Sequence, residues 1–364
     1  MKIVSVVGAR PQFIKAAAVS RIIRKSMDEI LVHTGQHYDA NMSDVFFDEL
    51  GIPRPDYNLG VGSGSHGKQT AEMLMGIESI LLKEQPDYLL TYGDTNSTLA
   101  SALAASKLLI PIIHVEAGLR SYNKEMPEEQ NRIITDHMSE LLFCPTDTAV
   151  ECLKREGICE HVYQVGDVMC DVVLHYVNEM ETLAGNHFEC LDIWFGDAEA
   201  LSNGWYLATI HRAENTNSLD KIQAILDSFE ELDLPVLFPV HPRTKQMVGE
   251  LCEKYSYKNL VLTQPISYKE MLFFSSKAKK IVTDSGGLQK EAYILRTPCV
   301  TVRDQTEWTE TLQGGHNILA KPNKEDILRK IKETKQDWDN HPEYYGTGNA
   351  AEKICSIIRN HKME

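Results

Sequence analysis

The sequence lacks both the long hydrophobic runs of membrane proteins and the paired cysteines of disulfide-rich domains. No stretch approaches the roughly 18 consecutive apolar residues that a membrane helix needs. None of the eight cysteines belongs to a CxxC pair, which disfavours a zinc ribbon and a disulfide scaffold. Reduced thiols in a cytoplasmic protein are therefore expected. The opening residues, MKIVSVVGARPQ, predict a first strand and not an export signal.

Positive charge is also scarce, since the formal net charge is −15. This balance disfavours general affinity for nucleic acid or for an anionic membrane surface. It leaves an anionic small ligand open, because arginines and helix N-termini act locally. The Walker and GxGxxG phosphate loops are missing, and so is HExxH or any other metal-ligand spacing. We therefore expect no dinucleotide site, no P-loop and no metal.

With 364 residues, the chain is longer than one hydrophobic core usually supports, and two domains are expected. Short β-branched runs alternate with amphipathic segments in both halves, which predicts two parallel, doubly wound sheets. The pattern weakens between residues 170 and 203, so we expect domains over residues 1–170 and 171–347. Two such domains facing one another predict a ligand cleft at the carboxyl ends of both sheets. Strands are predicted at residues 2–7, 30–33, 87–92, 112–115, 141–144, 206–210, 236–240, 260–262, 280–283 and 299–302.

Two strand-to-helix corners carry glycine and charge. GARPQ at residues 8–12 follows the first strand, and a helix N-terminus there offers N–H groups to an anion, with Arg10 and Lys15 adding positive charge. The alternative is an ordinary turn with solvated basic residues.

The second corner is TDSGGLQKE at residues 283–291. Ser285 is suited to cap a helix, while Gly286 and Gly287 expose backbone N–H groups on which a diphosphate could rest. Glu291 is a candidate acceptor for ribose hydroxyls. The alternative is a capped helix that binds nothing.

Three carboxylates lie at predicted strand exits or helix starts: Asp94, Glu116 and Glu128. Each alone is explicable as a cap or as a partner of the helix dipole. Together they favour acid–base chemistry, because a protein that only binds an anion gains nothing from three nearby acids.

Further candidates follow predicted strands of the second half. His211 is suited to bind phosphate or to donate a proton to a leaving group, although a lone histidine is more often structural. The remaining candidates for substrate binding are arginines, which suit phosphate and sugar: Arg132, Arg212, Arg243 and Arg303.

The motifs resemble those of the non-hydrolysing UDP-N-acetylglucosamine 2-epimerases, in order from about residue 3 to 315. The matching blocks are GARPQFIK, HTGQHYD, YGDTNST, HVEAGLRS, PEEQNR, HRAEN, HPR, TDSGGLQKEA and VRDQTEW. The resemblance implies a GT-B-like fold of two Rossmann-like domains, with UDP held chiefly by the second. It also implies that the helix at residues 348–364 completes the first domain, that the protein is a homodimer, and that no cofactor is needed.

The resemblance assigns roles by position. Nucleotide and diphosphate contacts fall on Arg10, His211, Ser285, Gly286, Gly287 and Glu291. Residues near the sugar are Lys15, Asp94, Glu116, Glu128 and Arg303. The implied reaction inverts C-2 of a UDP-linked 2-acetamido sugar by eliminating UDP to a glycal and adding it back, in precursor synthesis for surface polysaccharide.

Several blocks depart from the usual family pattern and resemble the branch that acts on UDP-2,3-diacetamido-2,3-dideoxyglucuronic acid. Gln12 stands where many members carry an acid, and Lys290 precedes Glu291. The side-chain amide of Gln12 and the ammonium of Lys290 would suit an acidic sugar. The segment at residues 38–42 differs from the usual site of allosteric activation by UDP-GlcNAc.

Three other functions remain open at this level. A hydrolysing 2-epimerase would share most motifs but release free N-acetylmannosamine and UDP. A GT-B glycosyltransferase would need an acceptor. A UDP-sugar sensor would bind without chemistry.

Overall fold

Two units, each built on its own sheet, make up the chain in the computed structural model, which describes residues 1–35, 51–182, 187–306, 308–339 and 342–361. One unit comprises Met1–Val172 together with Tyr344–Glu364, and the other is Val173–Glu343. Across the described ranges, no helix combines the length and the apolar character needed to cross a bilayer. The segment at residues 38–42, discussed above for activation, lies outside the described residues.

In the first unit, seven of the described strands form a parallel sheet in the order β3-β2-β1-β4-β5-β6-β7. The strands are β1 (Lys2–Val7), β2 (Asp28–His33), β3 (Tyr57–Asn58), β4 (Tyr88–Tyr92), β5 (Ile112–Val115), β6 (Leu141–Cys144) and β7 (Val162–Gln164). The helices are α1 (Arg10–Ile23), α2 (His66–Glu84), α3 (Asn96–Lys107), α4 (Pro127–Met138), α5 (Asp147–Arg155) and α6 (Val168–Thr182), which runs on into the second unit.

The central strands of this sheet are mostly apolar and almost entirely buried, as is typical of a parallel sheet covered on both faces. The strand β4 is buried at every residue, and only the first residue of β1 is partly exposed. Since all seven strands run in the same direction, their carboxyl ends meet at one edge. Gly8, Gly93 and Glu116 follow β1, β4 and β5 at that edge.

The second unit repeats the scheme in the order β14-β13-β12-β9-β10-β11-β8, parallel except for β8. Its strands are β8 (Ile193–Phe195), β9 (Tyr206–Thr209), β10 (Val236–Pro239), β11 (Leu260–Thr263), β12 (Ile281–Thr283), β13 (Cys299–Thr301) and β14 (Asn317–Leu319). Its helices are α7 (Ala213–Thr216), α8 (Leu219–Glu230), α9 (Pro242–Lys254), α10 (Tyr268–Lys277), α11 (Gly286–Ile294) and α12 (Lys324–Glu333), with short 3₁₀ turns at His187–Cys190, Ala198–Asn203 and Thr309–Gly315.

The last helix, α13 (Ala350–His361), belongs to the first unit. Its first two backbone N–H groups, at Ala350 and Ala351, donate to the two carboxylate oxygens of Asp171 at 3.0 and 2.8 Å. The first N–H groups of a helix have no carbonyl acceptor in a preceding turn, so a buried carboxylate at this point satisfies them. Its negative charge also complements the positive end of the helix dipole. Asp171 therefore anchors the start of α13.

His33, the last residue of β2, makes the stability of the first unit depend on pH. The side chain is 1% exposed, and burial lowers its pKa from the ordinary 6.5 to about 4. Between these values the unfolded chain binds more protons than the folded one. The free energy of unfolding should therefore fall as pH decreases from 6.5 to 4, by about 3 kcal/mol from this residue.

Chemical denaturation of His33→Asn and the unsubstituted chain between pH 7.5 and 4 checks this expectation. The variant should lose less stability than the unsubstituted chain over that range. Equal losses would contradict the assignment of this pH dependence to His33.

Candidate active site

Gly8 is required by packing where β1 meets α1. A Cβ atom at this position would lie 2.0 Å from Ser97 Oγ and 2.3 Å from Thr34 Oγ1. Both neighbours are buried hydroxyls that lie 2.9 Å from each other. Packing alone therefore requires glycine at position 8, whether or not an anion binds at this corner.

Gln12 accepts from the two backbone N–H groups that immediately precede α1 at this corner. Its Oε1 accepts from the N–H groups of Gly8 and Ala9 at 2.8 and 3.1 Å, and Pro11 has no N–H to offer. Its Nε2 donates to the Tyr92 carbonyl oxygen at 2.7 Å. Anion binding at the start of α1 therefore stays a prediction, while Gln12 is 1% exposed and uses its side-chain amide for hydrogen bonds within the protein. The exposed side chain of Arg10 remains as the candidate at this corner.

Lys15 and Glu116 form a buried ion pair at the carboxyl edge of the first sheet. The ammonium of Lys15 contacts Glu116 Oε2, and each side chain is 10% exposed. Gly93 lies beside the pair, since a Cβ there would come 3.2 Å from Glu116 Oε2. Glu116 also has a φ of +74°, a left-handed conformation that is costly for a residue with a Cβ. Such backbone strain concentrates at functional sites, which supports Glu116 as one of them.

Asp94 is held by Arg132 in the same unit. Arg132 Nη2 donates to Asp94 Oδ2 at 2.5 Å, and its Nη1 donates to Glu129 Oε2 at 3.2 Å. Burial opposes the charge on Arg132, yet the charges of Asp94, Glu116 and Glu129 raise its pKa above the ordinary value. Arg132 was predicted to bind substrate, and in the structure its guanidinium contacts the carboxylates of Asp94 and Glu129.

Glu128 and Glu129 have different environments at the start of α4. Glu128, the predicted candidate, is exposed. Glu129 is buried and accepts from the N–H groups of Ser121 and Tyr122, both at 2.8 Å. Burial works against the charge of Glu129, but these bonds prevail and lower its pKa. The sequence prediction missed Glu129, which anchors the loop between Glu116 and Glu128.

A fully buried network lies directly behind the carboxylates. His114 Nδ1 lies 2.6 Å from Asp136 Oδ1, and His114 Nε2 lies 2.8 Å from the Gly93 carbonyl oxygen. Both ring nitrogens of His114 therefore lie within hydrogen-bond distance of an oxygen atom. The other carboxylate oxygen of Asp136 accepts from Arg120 Nη1 at 2.7 Å. Burial raises the pKa of Asp136, but His114 and Arg120 outweigh it and keep the pKa below its ordinary value.

In the second unit, the buried Asp284 joins the corners that follow β9 and β12. Its carboxylate accepts from the backbone N–H groups of His211 at 3.0 Å and Arg212 at 2.9 Å. The side-chain amide of Asn215 also donates to it, at 3.0 Å. Asp284 stood in a motif without being proposed as a site residue, and it fixes the loop that carries His211.

The start of α11 has the form of an anion site. Ser285 caps the helix, with its Oγ accepting from Leu288 N at 3.4 Å. The first N–H groups of an α-helix have no acceptor within the helix, and here they belong to the half-buried Gly286 and the exposed Gly287. A Cβ atom at Gly287 would meet only the Ser285 hydroxyl, at 4.0 Å. Packing within the protein therefore gives no reason for glycine at position 287.

Basic residues lie around the predicted phosphate corner of the second unit. His211 Nδ1 is 3.6 Å from Asp284 Oδ1, and its ring centroid is 5.6 Å from that of His241. Burial lowers the pKa of His211, and the attraction of Asp284 opposes this shift only in part. Arg243 follows His241 and is exposed, whereas Arg212 is half-buried.

The remaining candidates of the second unit differ in exposure. Glu291 is 7% exposed, and its Oε1 accepts from the Tyr268 hydroxyl at 2.9 Å. Lys290 is 4% exposed, with its ammonium 4.2 Å from the centroid of the Trp308 ring. The suggested role of Lys290 toward an acidic substrate stays a prediction, and in the structure its ammonium packs on an aromatic ring. Arg303 lines a cavity of about 600 Å³ together with Asp304, Lys321, Asp326 and Arg329.

Comparison with known proteins places these motifs in context. A family model described as UDP-N-acetylglucosamine 2-epimerase matches residues 21–359. A UDP-N-acetylglucosamine 2-epimerase homolog of Methanococcus maripaludis is 52% identical over 363 residues, which cover 99% of this chain and 100% of the relative. The UDP-2,3-diacetamido-2,3-dideoxy-D-glucuronate 2-epimerase of Pseudomonas aeruginosa is 44% identical over 370 residues, covering 98% of this chain and 99% of the relative.

A solved structure gives the same result for the fold. The UDP-GlcNAc 2-epimerase of Methanocaldococcus jannaschii, in complex with UDP-GlcNAc and UDP, superposes with a TM-score of 0.81 at 40% identity, covering 99% of this chain and 100% of that chain. The predicted class, a GT-B-like fold with two Rossmann-like domains, is confirmed by this similarity and by the two parallel-rich sheets.

Proposed function

This chain belongs to the UDP-N-acetylglucosamine 2-epimerase family, and we propose that it inverts C-2 of a UDP-linked 2-acetamido sugar without releasing free sugar. The chain is a UDP-sugar 2-epimerase, and hence an isomerase. The proposed substrate is UDP-N-acetylglucosamine or its 2,3-diacetamido-2,3-dideoxyglucuronate analogue. Two relatives support this choice, since one is named for each type of sugar. The proposed role is to supply precursors for surface polysaccharide.

The observation that carries this proposal is the pairing of each of two carboxylates with a cation at the carboxyl edge of the first sheet. Glu116 pairs with Lys15, and Asp94 pairs with Arg132. Carboxylates are among the side chains that act as general bases, and the paired cation holds each of these two in position. Proton transfer at C-2 is assigned to Glu116 and Asp94, and Glu128 would join them from the exposed start of α4.

The second unit would bind the UDP part of the substrate. The diphosphate would accept from the N–H groups of Gly286 and Gly287 and from the Ser285 hydroxyl, in the field of the helix dipole. Arg212, Arg243 and Arg303 are the proposed cationic partners of phosphate and sugar, and His211 would donate a hydrogen bond to phosphate. Arg10 of the first unit is a further proposed contact of the nucleotide. Glu291 would accept from ribose hydroxyls.

The proposed chemistry explains why both groups of residues are needed. No carbonyl group lies next to C-2 to stabilise a carbanion, so the proton must leave as another bond breaks. The base takes the C-2 proton, the C–H electron pair forms the C-1 to C-2 double bond, and the C-1 to oxygen bond breaks with its electrons going to UDP. Donors at the start of α11 stabilise the departing diphosphate. Protonation on the opposite face of C-2 and return of the UDP oxygen to C-1 complete the inversion.

The proposal is tested by incubating the protein with each candidate UDP-sugar in deuterium oxide and following C-2 by NMR. A 2-epimerase gives the epimeric UDP-sugar with deuterium at C-2. Accumulation of free sugar and UDP would identify a hydrolysing enzyme instead. If both sugars keep their C-2 protons when no acceptor is present, the proposal fails for these substrates, and a glycosyltransferase or a sensor becomes the better account.

Gly287→Ala separates a binding role from a structural one. The added methyl group meets open space in the protein, so the fold should be unaffected or slightly stabilised. The methyl group should obstruct a bound diphosphate. We expect UDP affinity to fall by about 10- to 100-fold, the equivalent of one lost hydrogen bond to a charged group.

Gly249→Ala is the matched control. Gly249 lies inside α9 with no atom within 4 Å of a built Cβ, and it has no proposed ligand. This variant should bind UDP normally and gain about 0.5–1 kcal/mol in stability. Calorimetric titration of both variants with UDP is the measurement. Unchanged affinity in Gly287→Ala would rule out close contact between the diphosphate and this helix start.

A further inference from the structure

Three residues that are distant in the sequence meet at the amino edge of the first sheet. Glu140 immediately precedes β6, His161 immediately precedes β7, and His361 is the last residue of α13. Backbone hydrogen bonds fix two of them, since Glu140 N donates to the Ile112 carbonyl oxygen at 2.9 Å and the His161 carbonyl oxygen accepts from Leu142 N at 3.0 Å. The proton-transfer candidates follow strands at the opposite, carboxyl edge of the same sheet.

Each of these three side chains offers one ligand atom, at a spacing slightly wider than that of a tetrahedral metal site. Glu140 Oε1 lies 3.5 Å from His361 Nε2 and 3.7 Å from His161 Nε2. One nitrogen or oxygen atom from each residue lies within 4.8 Å of the other two. Ligand bonds of roughly 2.0–2.2 Å to zinc in a tetrahedral arrangement place neighbouring ligand atoms roughly 3.3–3.5 Å apart. Small side-chain rotations would therefore suffice to bring all three atoms onto one ion.

The surroundings of His361 also fit a metal ligand. The Tyr88 hydroxyl lies 2.9 Å from His361 Nδ1, which leaves Nε2 facing Glu140. Metal-binding histidines almost always form a hydrogen bond through the ring nitrogen that does not bind the metal, and this bond fixes the ring orientation. Two imidazoles and one carboxylate form a ligand set that suits zinc, whereas magnesium prefers oxygen ligands.

We propose that Glu140, His161 and His361 bind one zinc ion, with water as the fourth ligand, and that this ion fixes the end of α13 to the sheet. The site joins the last described residue of the chain to the segments that precede β6 and β7. Short sequence motifs could not reveal this metal site, because its three ligands are separated by 21 and 200 residues. The ion would contribute to stability and not to the chemistry at C-2.

Zinc titration of the full chain, first stripped with a chelator, tests this proposal. We expect one zinc ion per chain at pH 7.5, a higher Tm with zinc, and unchanged epimerase activity. Binding should weaken at pH 5.5, because protonated imidazoles cannot bind a metal. Glu140→Gln, His161→Asn and His361→Asn should each lose the bound ion and the rise in Tm. Tyr88→Phe keeps all three ligands and should weaken binding by about 10-fold.

His175→Asn is the matched control. His175 Nε2 lies 3.8 Å from Glu179 Oε2 on α6, a similar histidine–glutamate pair, and its loss should leave zinc binding intact. Cobalt in place of zinc should bind with no thiolate-to-metal charge-transfer band, which excludes the exposed Cys159 and Cys190 as ligands. Undiminished zinc binding in the three ligand variants, a thiolate band, or no zinc binding at all would overturn the proposal.

Discussion

Replacing Glu116 by glutamine is expected to slow the exchange of the C-2 hydrogen by about 10²–10⁴-fold, the usual contribution of a positioned base. The amide keeps the size of the side chain but cannot accept a proton at neutral pH. Glu116 is the strongest candidate because it combines a left-handed backbone with a buried ion pair to Lys15. Deuterium entry at C-2, measured by NMR at saturating substrate, gives the rate.

Parallel variants separate catalysis from general damage. Asp94→Asn and Glu128→Gln test the other two carboxylates, and Glu125→Gln removes an exposed acid of the same loop with no proposed role. UDP affinity and Tm should change little in the Glu125 control. If all three candidate variants exchanged the C-2 hydrogen at the normal rate, acid–base chemistry at this edge would be excluded.

Asp136→Asn should cause the largest loss of stability, about 3–5 kcal/mol, because it removes one partner from a fully buried charged network. The substitution leaves Arg120 without its buried counterion and His114 Nδ1 without a charged acceptor. Since His114 also contacts the Gly93 carbonyl oxygen, next to Asp94, catalysis should decline together with stability. Urea denaturation at pH 7 measures the free energy of unfolding.

Glu156→Gln is the control for this network. Glu156 binds Arg120 from the other side, at 2.7 Å from both Nε and Nη2, but its side chain is 25% exposed. Solvent screening at such a position limits the loss to about 1 kcal/mol. If the two variants lost equal stability, burial would not be what makes Asp136 important.

The fold was largely predictable because the central strands are rich in β-branched and other apolar residues. The predictions at residues 2–7, 112–115 and 141–144 match β1, β5 and β6. The strands that were not predicted are short, and every residue of Tyr57–Asn58, Val162–Gln164 and Ile193–Phe195 is partly or fully exposed. A few half-exposed residues carry no periodic signal, and only pairing with a neighbour makes them strands.

The site was predictable only in part, because a motif does not report what its side chains contact. Glycines and charges after strands located the two corners and the acids. From the sequence, Gln12 resembled a residue that contacts ligand. In the structure its side chain forms hydrogen bonds with backbone groups, and a sequence pattern does not show that those groups need a partner. Asp136 and Asp284 looked like ordinary polar residues, and their importance comes from burial among donors on distant segments.

The central claim is that UDP leaves C-1 during inversion, and an isotope exchange measures this directly. A UDP-sugar carrying ¹⁸O in the oxygen between C-1 and phosphorus would be incubated with the protein and followed by ³¹P NMR. If UDP departs and rotates before returning, the label moves into the non-bridging positions of that phosphate while the C-2 epimer forms. Formation of the epimer with all of the label still in the bridge would contradict the account.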